Sequence, residues 1–165
     1  MPLRLEGSCH CGAVRFALDS HTPQPYQRCY CTVCRKTAGG GGFAINIMGV
    51  AASLETEDPD GARRVYRAEF VDDGGERFTS PAERSFCSLC ASALWLWDPR
   101  WPELIHPFAS VIDTELPVPP EGTHILLESR APWAMPQPGA GDACFDSYPA
   151  QSIEDWHRAR GLWVD

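Results

Sequence analysis

Residues 29–39 read CYCTVCRKTAG, a stretch that crowds Cys29, Cys31 and Cys34 into one tight segment. Cys9 and Cys11 precede it, Cys87 and Cys90 follow it, and Cys144 stands alone near the carboxyl end, making eight cysteines in all. Clusters of two, three and two are not the pattern of a disulfide framework. The amino end lacks the apolar run of an export signal, so the expected compartment is the cytoplasm, where thiols stay reduced. Metal is the reading that explains the crowding. A tetrahedral zinc holds thiolates at about 2.3 Å, which sets their sulfurs roughly 3.7 Å apart, and paired cysteines in tight turns supply that spacing. Cys144 alone suits burial as a small hydrophobe.

If each cluster acts as a unit, seven ligands divide in one sensible way. Cys9, Cys11, Cys87 and Cys90 form a closed four-sulfur site that pins distant chain segments, and Cys29, Cys31 and Cys34 form a site one ligand short. The first zinc is then structural. The second keeps a position for an exogenous ligand, unless Cys144, His10 or another side chain completes it. Ferredoxin spacings are absent, which favours zinc over an iron–sulfur cluster.

Composition narrows the partners. The 165 residues fit one domain, and 14 basic against 22 acidic residues give a formal net charge of -8, a poor match to a phosphate backbone. No nucleic-acid partner is expected. No apolar run approaches the roughly 18 residues of a membrane helix, so no membrane partner is expected either. With 14 glycines and 15 prolines, the chain favours turns and short strands, hence a mainly β fold. The oligomeric state is not legible.

GSCHCGAVRF at 7–16, CYCTVCRKTAG at 29–39 and FCSLCASAL at 86–94 resemble, in order and spacing, the glutathione-dependent formaldehyde-activating enzyme family, whose relatives include centromere-protein-V-like proteins. VIDTEL at 111–116 and HILLESRAPW at 124–133 extend the likeness. The resemblance implies a β-tent of small antiparallel sheets organised around zinc. It also implies a structural zinc on Cys9, Cys11, Cys87 and Cys90, and a catalytic zinc on Cys29, Cys31 and Cys34. Arg35 and Lys36 match the family's basic pair. Two positions depart from the pattern, because glycine is usual where this chain has Ala91 and where Val111 precedes Ile112-Asp113. Both raise a question of backbone geometry, since glycine tolerates a positive φ that other residues resist.

Alternation of Val14, Phe16 and Leu18 predicts a strand, as do 43–47, 65–70, 94–97, 108–112 and 125–128. Trp95 and Trp97 are expected in the core. Gly39–Gly42 reads equally as a loop bordering the site or an ordinary turn, and it lacks the ending of a phosphate loop. Residues 1–135 form the zinc-binding domain, and 136–165 an appendage on it with a helix over about 153–160, opened by Ser152 and closed by Gly161.

A zinc bearing three thiolates is a weak Lewis acid toward water but suits an incoming thiol. The expected reaction is therefore carbon–sulfur bond formation. A small thiol such as glutathione attacks a small aldehyde, most simply formaldehyde, to give S-(hydroxymethyl)glutathione, and the reverse is a carbon–sulfur lyase. Arg35 and Lys36, with Arg28 as a weaker candidate, would attract the thiol's carboxylates; His10 is expected to face a turn or the core. The competing reading is a non-catalytic, zinc-stabilised structural or interaction domain.

Overall fold

The computed structural model describes residues 1–165. Its strands are short, as the density of glycine and proline requires. In chain order they are β1 (Leu3–Ser8), β2 (Arg15–Ser20), β3 (Gln27–Cys29), β4 (Ala44–Ile45), β5 (Gly49–Val50), β6 (Glu55–Glu57) and β7 (Arg63–Tyr66). There follow β8 (Glu69–Val71), β9 (Arg77–Thr79), β10 (Glu83–Cys87), β11 (Ala93–Trp97), β12 (Leu104–Pro107), β13 (Thr123–Ile125) and β14 (Ala143–Cys144). Two brief helices complete the fold, α1 (Thr32–Thr37) and α2 (Ile153–Ala159).

Three small sheets carry the structure, in the orders β1-β2-β6, β5-β12-β11-β10-β7 and β14-β13-β3-β4, and β8 pairs with β9 as a separate hairpin. The pairing is antiparallel except along β13, which runs parallel to both β3 and β14. The alternation in β2 does what its pattern requires: Phe16 and Leu18 are buried while Arg15 is exposed. They join Leu5, Val14, Leu94, Trp95 and Ile105 in the principal core, where Cys9 and Cys87 also lie and where Phe16 meets Trp95 edge-on at 5.1 Å. Gly7 makes this contact possible, since a Cβ there would fall 2.4 Å from Phe16 Cζ. A second cluster gathers Cys29, Cys34, Ala44, Phe108 and Ile125 between the third sheet and α1.

Several expected strands are shorter or displaced. Of 43–47, Ala44–Ile45 form a strand and Asn46 adds an isolated antiparallel bridge to Phe108. The run 65–70 is divided between β7 and β8, which belong to different sheets, around the buried Ala68. At 108–112 the chain turns instead: β12 ends at Pro107, and Val111 and Ile112 donate back to the carbonyls of Phe108 and Ala109. The strand at 125–128 starts earlier, at Thr123, and stops when Leu126 enters the left-handed region at φ 59°. There the N–H groups of Leu126, Leu127 and Glu128 bond the carbonyls of Ser147, Phe145 and Asp146, so a tertiary partner replaces the ladder. Trp95 is buried and Trp97 half-buried, its Nε1 donating to the Pro102 carbonyl. Gly39–Gly42 forms a turn closed by the Gly42 N–H on the Gly39 carbonyl, and a Cβ at Gly42 would collide with Ala134. The helix after Cys31 has no counterpart among the expected elements.

Residues beyond 135 lie against the sheets. β14 extends the third sheet, and the Val164 N–H bonds the His21 carbonyl. Ser152 caps α2 by accepting from the Asp155 N–H, and Gly161 follows the helix at φ 66°. The buried face of α2 carries Trp156, stacked on Tyr26 at 3.7 Å, and His157. His157 Nδ1 lies 2.7 Å from the Ile153 carbonyl, and its Nε2 accepts from the Gln24 N–H at 3.3 Å. Both contacts suit the neutral ring, and burial, together with the charge of Arg160, holds its pKa below the ordinary value. His106 is lowered by burial as well. A depressed histidine pKa contributes stability that is complete above the unfolded value, near 6.5, and is lost as pH falls toward the folded value. The denaturant midpoint is therefore expected to drop from about pH 7 to about pH 5, and His157→Gln, less stable at neutrality, should lose less over that interval.

Candidate metal centres

Two turns bring the first four sulfurs together. Cys9 and Cys11 sit in the loop from β1 to β2, where the Gly12 N–H bonds the Cys9 carbonyl and the Cys9 N–H bonds that of Val14. Cys87 ends β10, and the chain doubles back through Cys90 into β11, with the Ala91 N–H on the Cys87 carbonyl. The Sγ atoms of Cys9, Cys11, Cys87 and Cys90 all lie within 4.8 Å of one another. Cys9 and Cys11 are separated by 3.5 Å, and Cys11 and Cys87 by 3.8 Å. Those separations exceed the roughly 2.05 Å of a disulfide and match the roughly 3.7 Å edge of a tetrahedral zinc–sulfur site. Ser92 Oγ, 3.2 Å from Cys90 Sγ, draws that thiol down to about 5.

In the second group the Sγ atoms of Cys29, Cys31 and Cys34 likewise lie within 4.8 Å of one another. Cys29 is the last residue of β3, held from both sides by β13 and β4. The following turn starts α1, whose first turn carries Cys34, and the Cys31 sulfur accepts the Cys34 N–H at 3.2 Å. Neighbouring sulfurs hold the Cys31 thiol well below its ordinary range while pushing Cys29 far above it. Without a cation, then, the trio cannot ionise together. A divalent soft metal removes that conflict, and the all-sulfur donor sets fit zinc. Neither His10 nor Cys144 belongs to either group. His10 is exposed in its turn, with its N–H on Ser92 Oγ, and Cys144 is exposed on β14, contrary to the burial expected of it.

Arg35 and Lys36 occupy the last turn of α1. Arg35 is half-buried with Nε lacking a partner, and Lys36 is exposed. Arg28 is turned the other way, toward Asp142 at 4.0 Å. The basic group that does reach the trio is Arg84 of β10, whose Nη1 and Nη2 each lie 3.7 Å from Cys34 Sγ. Asn46 Nδ2 stands 4.0 Å from the same sulfur, and its Oδ1 is buried without a partner. Neither residue is conspicuous in sequence. The one available signal for Arg84 was alternation along β10, where buried Ser85 and Cys87 leave Arg84 and Phe86 on the opposite face.

A buried polar chain supports the Cys29–Cys31 turn from behind. Tyr30 Oη contacts His124 Nδ1 at 2.9 Å, and His124 Nε2 faces Asp142 Oδ2 at 3.3 Å. The N–H groups of Gly122 and Gly139, followed by His124, hold the Asp142 carboxyl below its ordinary range. Through this chain the segment beyond 135 is tied to the trio.

The family model described as glutathione-dependent formaldehyde-activating enzyme matches residues 4–129. A protein of Halomonas elongata named "Putative glutathione-dependent formaldehyde-activating enzyme" is 55% identical over 158 residues, covering 96% of this chain and 97% of that protein. A crystal structure of a Rhodobacter sphaeroides protein superposes with a TM-score of 0.51 at 18% identity, covering 85% of this chain and 98% of that one, a likeness of fold.

The two departures from the family's glycines behave differently. Ala91 adopts φ 61°, the left-handed conformation its position requires, whereas Val111 is not in that region. An L-residue there costs roughly 1–2 kcal/mol, partly offset by the lower unfolded-state entropy of alanine relative to glycine. Ala91 is exposed, so little packing is at stake. Ala91→Gly should therefore raise stability by about 0.5–1 kcal/mol, read as a higher denaturant midpoint, while Val111→Gly should lower it.

Proposed function

Since the chain belongs to the glutathione-dependent formaldehyde-activating enzyme family, we propose that it binds two Zn²⁺ ions and joins glutathione to formaldehyde as S-(hydroxymethyl)glutathione, acting in reverse as a carbon–sulfur lyase. The observation that carries this reading is the second sulfur group: three ligating atoms gather there, while the first group gathers four. Cys9, Cys11, Cys87 and Cys90 hold a structural ion at the junction of the first two sheets. Cys29, Cys31 and Cys34 hold a catalytic one, with a coordination position left for substrate. Bound there, zinc would stabilise a thiol as thiolate at neutral pH, although a free thiol has a pKa near 8.5.

The remaining work falls to the protein. The thiol gives up its proton, its sulfur pair forms the C–S bond, the carbonyl π pair moves to oxygen, and that oxygen takes up a proton. The sum is an addition with no oxidant or reductant. Holding sulfur and carbonyl together replaces a diffusive encounter with an oriented one, which is where most of the acceleration would come from. Arg35 and Lys36, at the end of α1 beside the trio, would draw in the carboxylates of glutathione against the acidic average of the surface. The rigid turn behind Cys29 and Cys31, backed by Tyr30, His124 and Asp142, keeps the ligands in place as substrate enters and product leaves.

Removing one ligand from each group separates their roles. Cys31→Ala should bind one zinc per chain instead of two, lose carbon–sulfur bond formation by at least about a hundredfold, and keep a cooperative unfolding transition. Cys87→Ala should lose folding itself, because it uncouples β1–β2 from β10–β11. Metal counting, thermal unfolding and product analysis with glutathione and formaldehyde provide the readouts. A wild-type protein with two zincs and no adduct formation would favour the non-catalytic domain instead.

A further inference from the structure

Arg84 has an unusual set of partners for an arginine. Its side chain makes two polar contacts, both to one atom, the Sγ of Cys34. A guanidinium stays charged at any physiological pH, and a neutral thiol is a poor partner for it. Both donors are instead aimed at a sulfur that would carry ligand charge once a cation is held by the trio. Around the guanidinium lies a cavity of about 400 Å³, with Val65, Phe86, Ala93 and Phe108 among its walls and the hydroxyl-bearing Thr37 and Tyr66 beside them. Such apolar surroundings leave the charge less screened than it would be at an open surface. The three sulfurs are also unequally served. Cys34 receives both Arg84 donors and approaches Asn46, while Cys31 receives the Cys34 N–H.

We propose that Arg84 is a positioning residue of the three-cysteine site, its guanidinium offsetting the charge on the Cys34 thiolate so that the site can accept a further anionic sulfur. The charge arithmetic supports it. Three thiolates around a divalent cation carry one net negative charge, a fourth thiolate makes two, and Arg84 returns the assembly to one. The part concerning an incoming thiol rests on the function proposed above. As the C–S bond forms, negative charge leaves sulfur for oxygen, so Arg84 favours the bound thiolate at least as much as the transition state. Its loss should accordingly appear in thiol affinity and KM more than in kcat.

The test uses the full chain loaded with Co²⁺ in both sites, comparing wild type, Arg84→Gln and Arg84→Lys, with metal content and thermal unfolding measured alongside. Before any thiol is added, loss of the guanidinium should move the sulfur-to-cobalt charge-transfer band to lower energy in Arg84→Gln, because a charged donor stabilises the sulfur lone pair. Arg84→Lys should lie between. On titration with glutathione, Arg84→Gln should bind about tenfold more weakly, with Arg84→Lys intermediate, and turnover with zinc should show a KM increase larger than any fall in kcat. An unchanged band and unchanged glutathione affinity in a fully metallated Arg84→Gln would overturn the inference. A wild type whose band ignores glutathione would instead overturn the thiol-accepting reading of the site, and the thiol-free spectra would still decide whether Arg84 acts on Cys34.

Discussion

Sulfurs gathered within 4.8 Å of one another repel as thiolates, and a shared cation would resolve that conflict in each group. The sheets are too small to be self-sufficient: several strands have two or three residues, and the principal core has only 11 buried residues, Cys9 and Cys87 among them. The four-sulfur group sits where the β1–β2 turn meets the β10–β11 turn. A metal there would cross-link two hairpins that otherwise meet through the apolar core, Phe16 against Trp95, and so would couple ligand binding to folding. Such a cross-link would do for this fold what a larger apolar core does in others.

The same element, β10, also reaches the second group. β10 brings Cys87 to the four-sulfur group along its buried face and, three residues earlier and so on the opposite face, directs Arg84 to Cys34. The two centres are thus mechanically linked through a five-residue strand. From the opposite side, the parallel pairing of β3 with β13 fixes Cys29, and the Tyr30–His124–Asp142 chain fixes the turn that follows it. Asp142 comes from the segment beyond the family match, so the carboxyl-terminal residues contribute to the rigidity of the trio.

Local signals were reliable where chemistry or backbone sterics is local. Cysteine spacing divided the seven clustered sulfurs into the two groups that the fold gathers, the Ser152 cap and Gly161 bracketed α2, and the glycine expected at position 91 pointed to a backbone that is left-handed even with alanine in place. They failed where a partner distant in sequence sets the conformation. Leu126 looks like the middle of a strand, yet its N–H is claimed by Ser147 and its φ is positive. Cys144 looks like a core residue, yet β14 is an edge strand that leaves it exposed.

The order and spacing of the cysteines, with the glycine- and proline-rich composition, determined by themselves a mainly β protein with two sulfur-rich centres, because metal ligation by paired cysteines depends on residues close in the chain. Tertiary structure alone decided which charged groups face those sulfurs. Arg84 is 50 residues from Cys34, and Asn46 reaches it from another strand end. Whether a side chain meets a sulfur across such a distance depends on sheet order and strand register, and those follow from how all the short strands pack at once.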